Sequence, residues 1–164
     1  PRYLTLLDGT PLPIQKAFEW NLDGIPEERR EAWFRVTAAL FGDPAQTGGL
    51  PVKVRLDPNF RAPEWAHAAD ALRQEAYELF TEDGAVHLRA PAWTGLVRGI
   101  TTLLQILEEV EEQGCIPRFR ITDWPRLASR GIHYDLAREM EYRPAYMKTV
   151  GQRLAYFKFN TFHL

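Results

Sequence analysis

Gly131-Ile132-His133-Tyr134-Asp135-Leu136 reads as a short strand, and Pro144 opens a helix with Met147, Val150, Leu154 and Phe157 along one face. Phe159-Asn160-Thr161-Phe162-His163-Leu164 then reads as a second strand. Strand, helix, strand is a βαβ unit, the repeating element of an α/β barrel or a doubly wound sheet. A single unit leaves both faces of its strands short of cover, because parallel sheets need helices and neighbouring strands around them. A complete barrel takes about 250 residues. Residues 118–164 are therefore expected to be one strand-helix-strand of a truncated barrel or doubly wound sheet.

Upstream, residues 116–126 hold two prolines, Pro117 and Pro125, and read as an extended connector. Before them runs an amphipathic helix with Leu96, Ile100, Leu103, Leu104, Leu107 and Val110 at three- and four-residue spacing, stopped by Gly114. Its acidic run, Glu108, Glu109, Glu111 and Glu112, reads as a solvated face. Tyr77-Glu78-Leu79-Phe80 and Ala85-Val86-His87-Leu88-Arg89-Ala90 flank Asp83-Gly84, the strongest short-range signal for a hairpin. Val52-Lys53-Val54-Arg55-Leu56 alternates as a half-buried strand does. A helix is predicted over 26–41, with Pro26 at its first position, Glu27 and Glu28 at the positive end of its dipole, and Trp33, Val36, Thr37 and Leu40 as its buried stripe. Residues 1–21 carry short apolar stretches broken by a turn at Asp8-Gly9-Thr10-Pro11. Residues 1–117 thus predict a small α+β domain, an antiparallel sheet covered on one face by helices, with nothing in it that looks like a site. The fold class is α/β overall.

Composition narrows the function classes. A net charge of -2 gives no general pull toward nucleic acid or an anionic membrane. Basic residues between Arg118 and Lys158 are interleaved with strand- and helix-forming apolar residues and carry no nucleic-acid-binding motif. No apolar run is long enough to span a bilayer. Cys115 is the only cysteine, so no internal disulfide forms, and it is expected to act as a small, partly buried apolar residue. The chain starts at Pro1 rather than Met, and its natural N-terminus is expected upstream.

Chemistry is expected in the last fifth. In a β/α barrel the reactive face is the C-terminal end of the strands. With a strand over 131–136 and its helix after Pro144, Arg138 falls on the loop at that face. Asp135 is expected near the strand's end, pointing inward if alternation holds from Gly131, and orienting neighbours such as Arg138 by hydrogen bonding. His133 and Asp135, two apart, have the spacing of metal ligands, but no third ligand stands at motif spacing, so packing is the reading and no metal is expected. Arg126 and Arg130 read as structural, pairing with Asp123 or other carboxylates.

The same stretch carries a family resemblance. Asp123-Trp124-Pro125-Arg126, then Arg130-Gly131-Ile132-His133-Tyr134-Asp135-Leu136-Ala137-Arg138, resembles the opening strand of glycoside hydrolase family 20 β-N-acetylhexosaminidases. Lys158-Phe159-Asn160-Thr161-Phe162-His163 is similar to that family's second strand, and residues 99–107 look like the end of its non-catalytic α/β domain. Two departures stand out. Glu139-Met140-Glu141-Tyr142 replaces the His and aromatic residues usual after the second arginine, and Leu164 stands where many members have Trp. The resemblance implies that Arg138 hydrogen-bonds hydroxyls of the terminal sugar, with Asp135 and His163 as supporting residues and His163 at the rim. It implies that residues 118–164 are the first strand-helix-strand of a truncated (β/α)8 catalytic barrel, and that the mechanism is retaining and substrate-assisted, an exception to the two-carboxylate scheme. There the substrate's acetamido oxygen attacks its own anomeric carbon, an Asp polarises that group, and a Glu serves as general acid and then base. That Asp-Glu pair is expected beyond Leu164, so no catalytic residue is assigned within residues 1–164 and the chain alone is expected to be inactive. The partner implied is an oligosaccharide or glycoconjugate with terminal N-acetylhexosamine, with no cofactor, nucleic acid or membrane. The alternatives are another glycoside hydrolase with the same front domain, such as an α-glucuronidase or an O-GlcNAcase-like enzyme, or a non-catalytic carbohydrate-binding module.

Overall fold

The computed structural model describes residues 1–15, 17–41, 49–135 and 142–164, and divides them between two units, Pro1–Pro125 and Arg126–Leu164.

The first unit is built on a six-stranded sheet. In chain order its strands are β1 (Tyr3–Leu6), β3 (Phe18–Gly24), β4 (Leu50–Leu56), β5 (Tyr77–Glu82), β6 (Ala85–Ala90) and β8 (Phe119–Asp123), and in space they run β1-β8-β5-β6-β4-β3. A small ladder of β2 (Leu12–Pro13) and β7 (Cys115–Ile116) stands beside it. The helices are α1 (Glu27–Phe41), the single turn α2 (Asp70–Arg73) and α3 (Trp93–Glu109).

The sheet is mixed, which corrects the expected antiparallel sheet. Antiparallel pairing holds for β1, β8, β5 and β6, whereas β6, β4 and β3 pair in parallel. The reason is β3, whose sequence carries only a broken apolar pattern. With α1 between them, β3 and β4 form a crossover, and a crossover connection makes neighbouring strands parallel. A second correction concerns residues 116–126. Instead of a connector they hold β8, which lies inside the sheet between β1 and β5, its Ile121 opposite Leu4 and Leu79. A strand paired on both sides belongs to the sheet's unit, so the first unit runs to Pro125 and the expected boundary after residue 117 falls too early.

Period-two alternation decides what each sheet face carries. Phe18 and Leu22, Val52 and Val54, Val86 and Leu88, Tyr77 and Leu79, and Phe119 and Ile121 are buried on one face. The predicted stripes of α1 and α3 meet them there, with Trp33, Thr37, Leu96, Ile100 and Leu103 buried and Val36, Leu40 and Leu107 packed at the margin. Trp33 stands edge-on to both Trp20 (5.5 Å) and Trp93 (6.1 Å), joining sheet and helices through large apolar surfaces. Arg98 Nε donates to Glu75 at 2.7 Å, a nearly buried ion pair that pins α3 to the segment before β5. The β5–β6 hairpin turns as its sequence demands, on Asp83 (φ 48°) and Gly84 (φ 74°), the two left-handed residues of a type I′ turn.

The other face of the sheet is polar. Glu78 is almost fully buried between two arginines: Arg89 Nε donates to Oε2 and Arg120 Nη1 to Oε1, each at 2.5 Å. Arg120 also lies over the Phe80 ring at 4.4 Å and Arg89 over Phe60 at 4.2 Å. Register accounts for the cluster, since Glu78 stands opposite Arg89, and Phe80 opposite both His87 and Arg120.

The second unit is the predicted strand-helix-strand. Strand β9 (Gly131–His133), helix α4 (Pro144–Tyr156) and strand β10 (Thr161–His163) follow in order, and β9 pairs with β10 in parallel. None of its described residues is buried, and Ile132, Phe159 and Phe162 are only half-buried.

Candidate functional site

The site expected from sequence lies where β9 and β10 end. Asn160 fixes their start: its side-chain oxygen accepts from the Arg130 amide (2.9 Å), and its side-chain amide donates to the Ala128 carbonyl (2.7 Å). Arg130 takes the structural role expected of it, but through carbonyls, with Nε donating to Lys158 (3.0 Å) and Nη1 to Leu127 (2.6 Å). Gly131 is required by the close approach of the strands, because a Cβ there would lie 2.8 Å from the Thr161 side chain. The Tyr134 amide donates to the His163 carbonyl at 2.8 Å and carries the pairing one residue past β9.

This register sets His133 directly opposite His163. Both imidazoles are exposed, and their Nδ1 atoms are 2.8 Å apart, so one donates and the other accepts. Asp135, also exposed, follows two residues after His133. Arg138, and Leu136 with it, lie outside the described residues. The structure thus brings His163 to His133, which sequence reading had joined only to Asp135.

An aromatic cluster holds α4 to β9, and sequence reading missed it. Tyr134 and Tyr146 share a hydroxyl-hydroxyl hydrogen bond of 2.9 Å, Tyr142 stacks on Tyr146 at 5.7 Å, and Phe162 stands edge-on to Tyr134. The hydrogen bond with Tyr146, then desolvation, pushes the Tyr134 phenol up to about 12. Its sequence signal was the spacing of Tyr142 and Tyr146, four apart across the start of a helix.

In the first unit, Asp123 serves as an internal anchor. Tyr77 donates to its carboxylate at 2.8 Å and the Arg2 amide at 3.0 Å, which ties the chain's start to the end of β8. Burial, then the Asp123 charge, raises the Tyr77 phenol well above its ordinary value. On the polar face an open cleft of about 790 Å³ is lined by Asn21, Lys53, Arg55, His87 and Arg89 among others. Burial, with help from the Lys53 charge, lowers the His87 imidazole.

A mixed sheet with helices on one face, followed by a parallel strand-helix-strand with polar groups at its strand ends, defines a two-unit α+β protein. Known proteins carry the identification further. Residues 19–124 match the model of glycosyl hydrolase family 20, domain 2, and the chain belongs to that family. It is 31% identical to a β-N-acetylhexosaminidase of Cellulomonas fimi, over all of this chain and 33% of that protein. It is 26% identical to a β-hexosaminidase of Vibrio furnissii, over 99% of this chain and 25% of that protein. Its fold is similar to that of the family 20 exo-β-N-acetylglucosaminidase of Vibrio harveyi solved with N-acetylglucosamine, with a TM-score of 0.68, 21% identity, and coverage of 99% of this chain and 24% of that one. The chain spans a third or less of the length of these relatives.

Proposed function

We propose that the whole protein is a retaining β-N-acetylhexosaminidase that removes terminal N-acetylhexosamine from oligosaccharides or glycoconjugates. In this reading the sheet unit is the non-catalytic domain, and residues 126–164 open the (β/α)8 catalytic barrel. The observation that carries it is the family match over the sheet unit, joined to a parallel βαβ unit with Asp135 and His163 at its strand ends.

Arg138, matched to the family's sugar-binding arginine by sequence resemblance alone, is assigned to the hydroxyls of the terminal sugar. A guanidinium suits sugar hydroxyls because it offers fixed, forked donors and keeps its charge at all working pH. Asp135 and His163 support it by orienting neighbouring groups. The chemistry is substrate-assisted: the 2-acetamido oxygen displaces the leaving group, whose oxygen takes a proton from a Glu, and water activated by the same Glu opens the cyclic intermediate. The acidic pair for these steps belongs to a later strand of the barrel, so residues 1–164 bind and position without turning over substrate.

The test is release of p-nitrophenol from p-nitrophenyl β-N-acetylglucosaminide by the whole protein and by residues 1–164 alone. Turnover by the first and none by the second is expected. Turnover by the short chain that survives repurification would overturn the division of labour, and inactivity of the whole protein would overturn the activity.

A further inference from the structure

The cleft on the polar face of the sheet, which the glycosidase reading leaves unused, sets like charges against each other. Lys53 stands directly opposite His87, and Arg55 directly opposite Arg89, on neighbouring parallel strands. Strands lie about 4.7–4.9 Å apart, and like charges facing each other across a strand pair are destabilising. The first pair relieves itself, because burial, then the Lys53 charge, disfavours the protonated His87 imidazole. The second has no such release, since a guanidinium keeps its proton at all working pH.

Nearby carboxylates leave these cations short of counter-charge. Glu78 is already shared between Arg89 and Arg120. Asp57 comes only within 3.9 Å of Arg55, whose side chain is 70% exposed. Gly24, the residue beside Arg55 on β3, supplies no side chain, and a Cβ there would lie 2.9 Å from the Arg55 Cα. Lys53 makes no ion pair among the described residues. Arg89 is also held in place: Glu78 accepts from its Nε and its guanidinium lies over the Phe60 ring at 4.2 Å. Among the described residues its two terminal nitrogens have no hydrogen-bond partner, so they are oriented donors facing an open cleft.

The surroundings narrow the anion that would join the two arginines. Forked guanidinium donors match the paired oxygens of a carboxylate. At the same cleft the Asn21 side-chain amide donates to the Asp23 carboxylate at 3.1 Å, fixing an acceptor that a ligand meets only with a donor. Cationic forks beside a fixed carboxylate suit a small ligand with one anionic group and neighbouring hydroxyls. They suit a long polyanion such as nucleic acid poorly, because Asp23 and Asp57 stand among the cations and repel its further charges. We propose that this cleft binds a uronate-type sugar, its carboxylate held by Arg55 and Arg89 with Lys53 beside them, and its ring hydroxyls donating to Asp23. The site lies in the sheet unit and its ligand needs no 2-acetamido group, so the inference stands apart from the glycosidase reading.

The test is saturation-transfer NMR of the whole protein with three probes: methyl β-D-glucuronide, methyl β-D-glucoside, which differs only in lacking the carboxylate, and acetate, the anion without the sugar. Saturable binding of the glucuronide is expected, at least about tenfold tighter than that of either other probe. Lys53 and Arg55 are exposed, so neither change below threatens the fold. Lys53→Gln and Arg55→Gln should each weaken glucuronide binding roughly three- to fivefold, the range of an exposed ion pair. Arg35→Gln, on α1, should bind as the parent does. Release of p-nitrophenol from p-nitrophenyl β-N-acetylglucosaminide should be unchanged in all three variants, which separates loss of this site from loss of the catalytic one. No saturable glucuronide binding by the whole protein, equal binding of the glucoside or of acetate, or undiminished binding by Arg55→Gln would overturn the proposal.

Discussion

Two glycines that look alike in the sequence should respond to the same substitution with opposite sign. Gly95 lies in the first turn of α3, and a Cβ built there would stand 2.2 Å from the Ala76 carbonyl oxygen and 2.8 Å from the Ala90 Cβ. Neither neighbour can yield, because one is backbone and both residues are fully buried where β5 begins and β6 ends. Ordinary contact requires the start of α3 to move by more than an ångström. Overpacking of this kind costs about 1–3 kcal/mol, against a helix-propensity gain of at most about 1 kcal/mol for Ala over Gly. A carbonyl at 2.2 Å puts the cost at the upper end, so Gly95→Ala should destabilise the first unit by about 1–2 kcal/mol. Gly151 sits inside α4 with no atom within 4 Å of its built Cβ, and Gly151→Ala should stabilise that helix by up to about 1 kcal/mol. All five tryptophans lie in the first unit. Urea unfolding followed by their fluorescence therefore reads Gly95→Ala directly, and amide exchange over residues 144–156 reads Gly151→Ala. With a slope of about 1–3 kcal/mol per molar urea, the Gly95→Ala midpoint should fall by roughly 0.3–2 M. A midpoint at or above the parent's would refute the packing argument.

Other outcomes follow from the same structure. Glu78→Ala should cost the first unit about 1–3 kcal/mol in urea unfolding, below the range for a fully buried pair because Arg89 and Arg120 are 39% and 41% exposed and partly rehydrate. Tyr134, raised to about 12 by Tyr146, holds its proton more tightly folded than unfolded, where it titrates near 10. Its contribution to stability is therefore complete below about pH 10 and lost as pH rises toward 12; Tyr146→Phe should return one tyrosine's ultraviolet titration toward 10, and an unchanged curve would contradict the hydroxyl pair. In the chain alone, amide exchange should be slowest in β5, β6 and α3 and fast across residues 131–164, where no described residue is buried. In the whole protein, loss of one or two charge-assisted hydrogen bonds of about 1.5–3 kcal/mol each should make Arg138→Ala lower kcat/KM by roughly ten- to a few thousand-fold. Little change in melting temperature should accompany it; near-normal kcat/KM would remove Arg138 from the sugar site.

Elements with strong local signals were legible in the sequence. The Asp83-Gly84 hairpin, the stripes of α1 and α3, and the order of β9, α4 and β10 needed only turn chemistry and periodicity. Strand β3 was not legible, because Asn21, Asp23 and Gly24 interrupt its apolar pattern and its pairing with β4 shifts register between Asn21 and Gly24. Strand β8 was hidden by its flanking prolines, since proline signals extended chain without showing whether a partner strand exists. The Glu78–arginine cluster and the facing histidines are set by register between strands, a quantity that a single strand's sequence does not carry.

In the proposed reaction the whole protein cleaves N-acetylhexosaminides with help from the substrate's own acetamido group. Comparing kcat/KM for p-nitrophenyl β-N-acetylglucosaminide with that for p-nitrophenyl β-glucoside tests it most directly, because the two differ only in the 2-substituent that acts as the nucleophile. Release from the first and a loss of several orders of magnitude with the second are expected, because in the proposed mechanism no enzyme carboxylate replaces the missing acetamido oxygen. Comparable kcat/KM for the two substrates would contradict it.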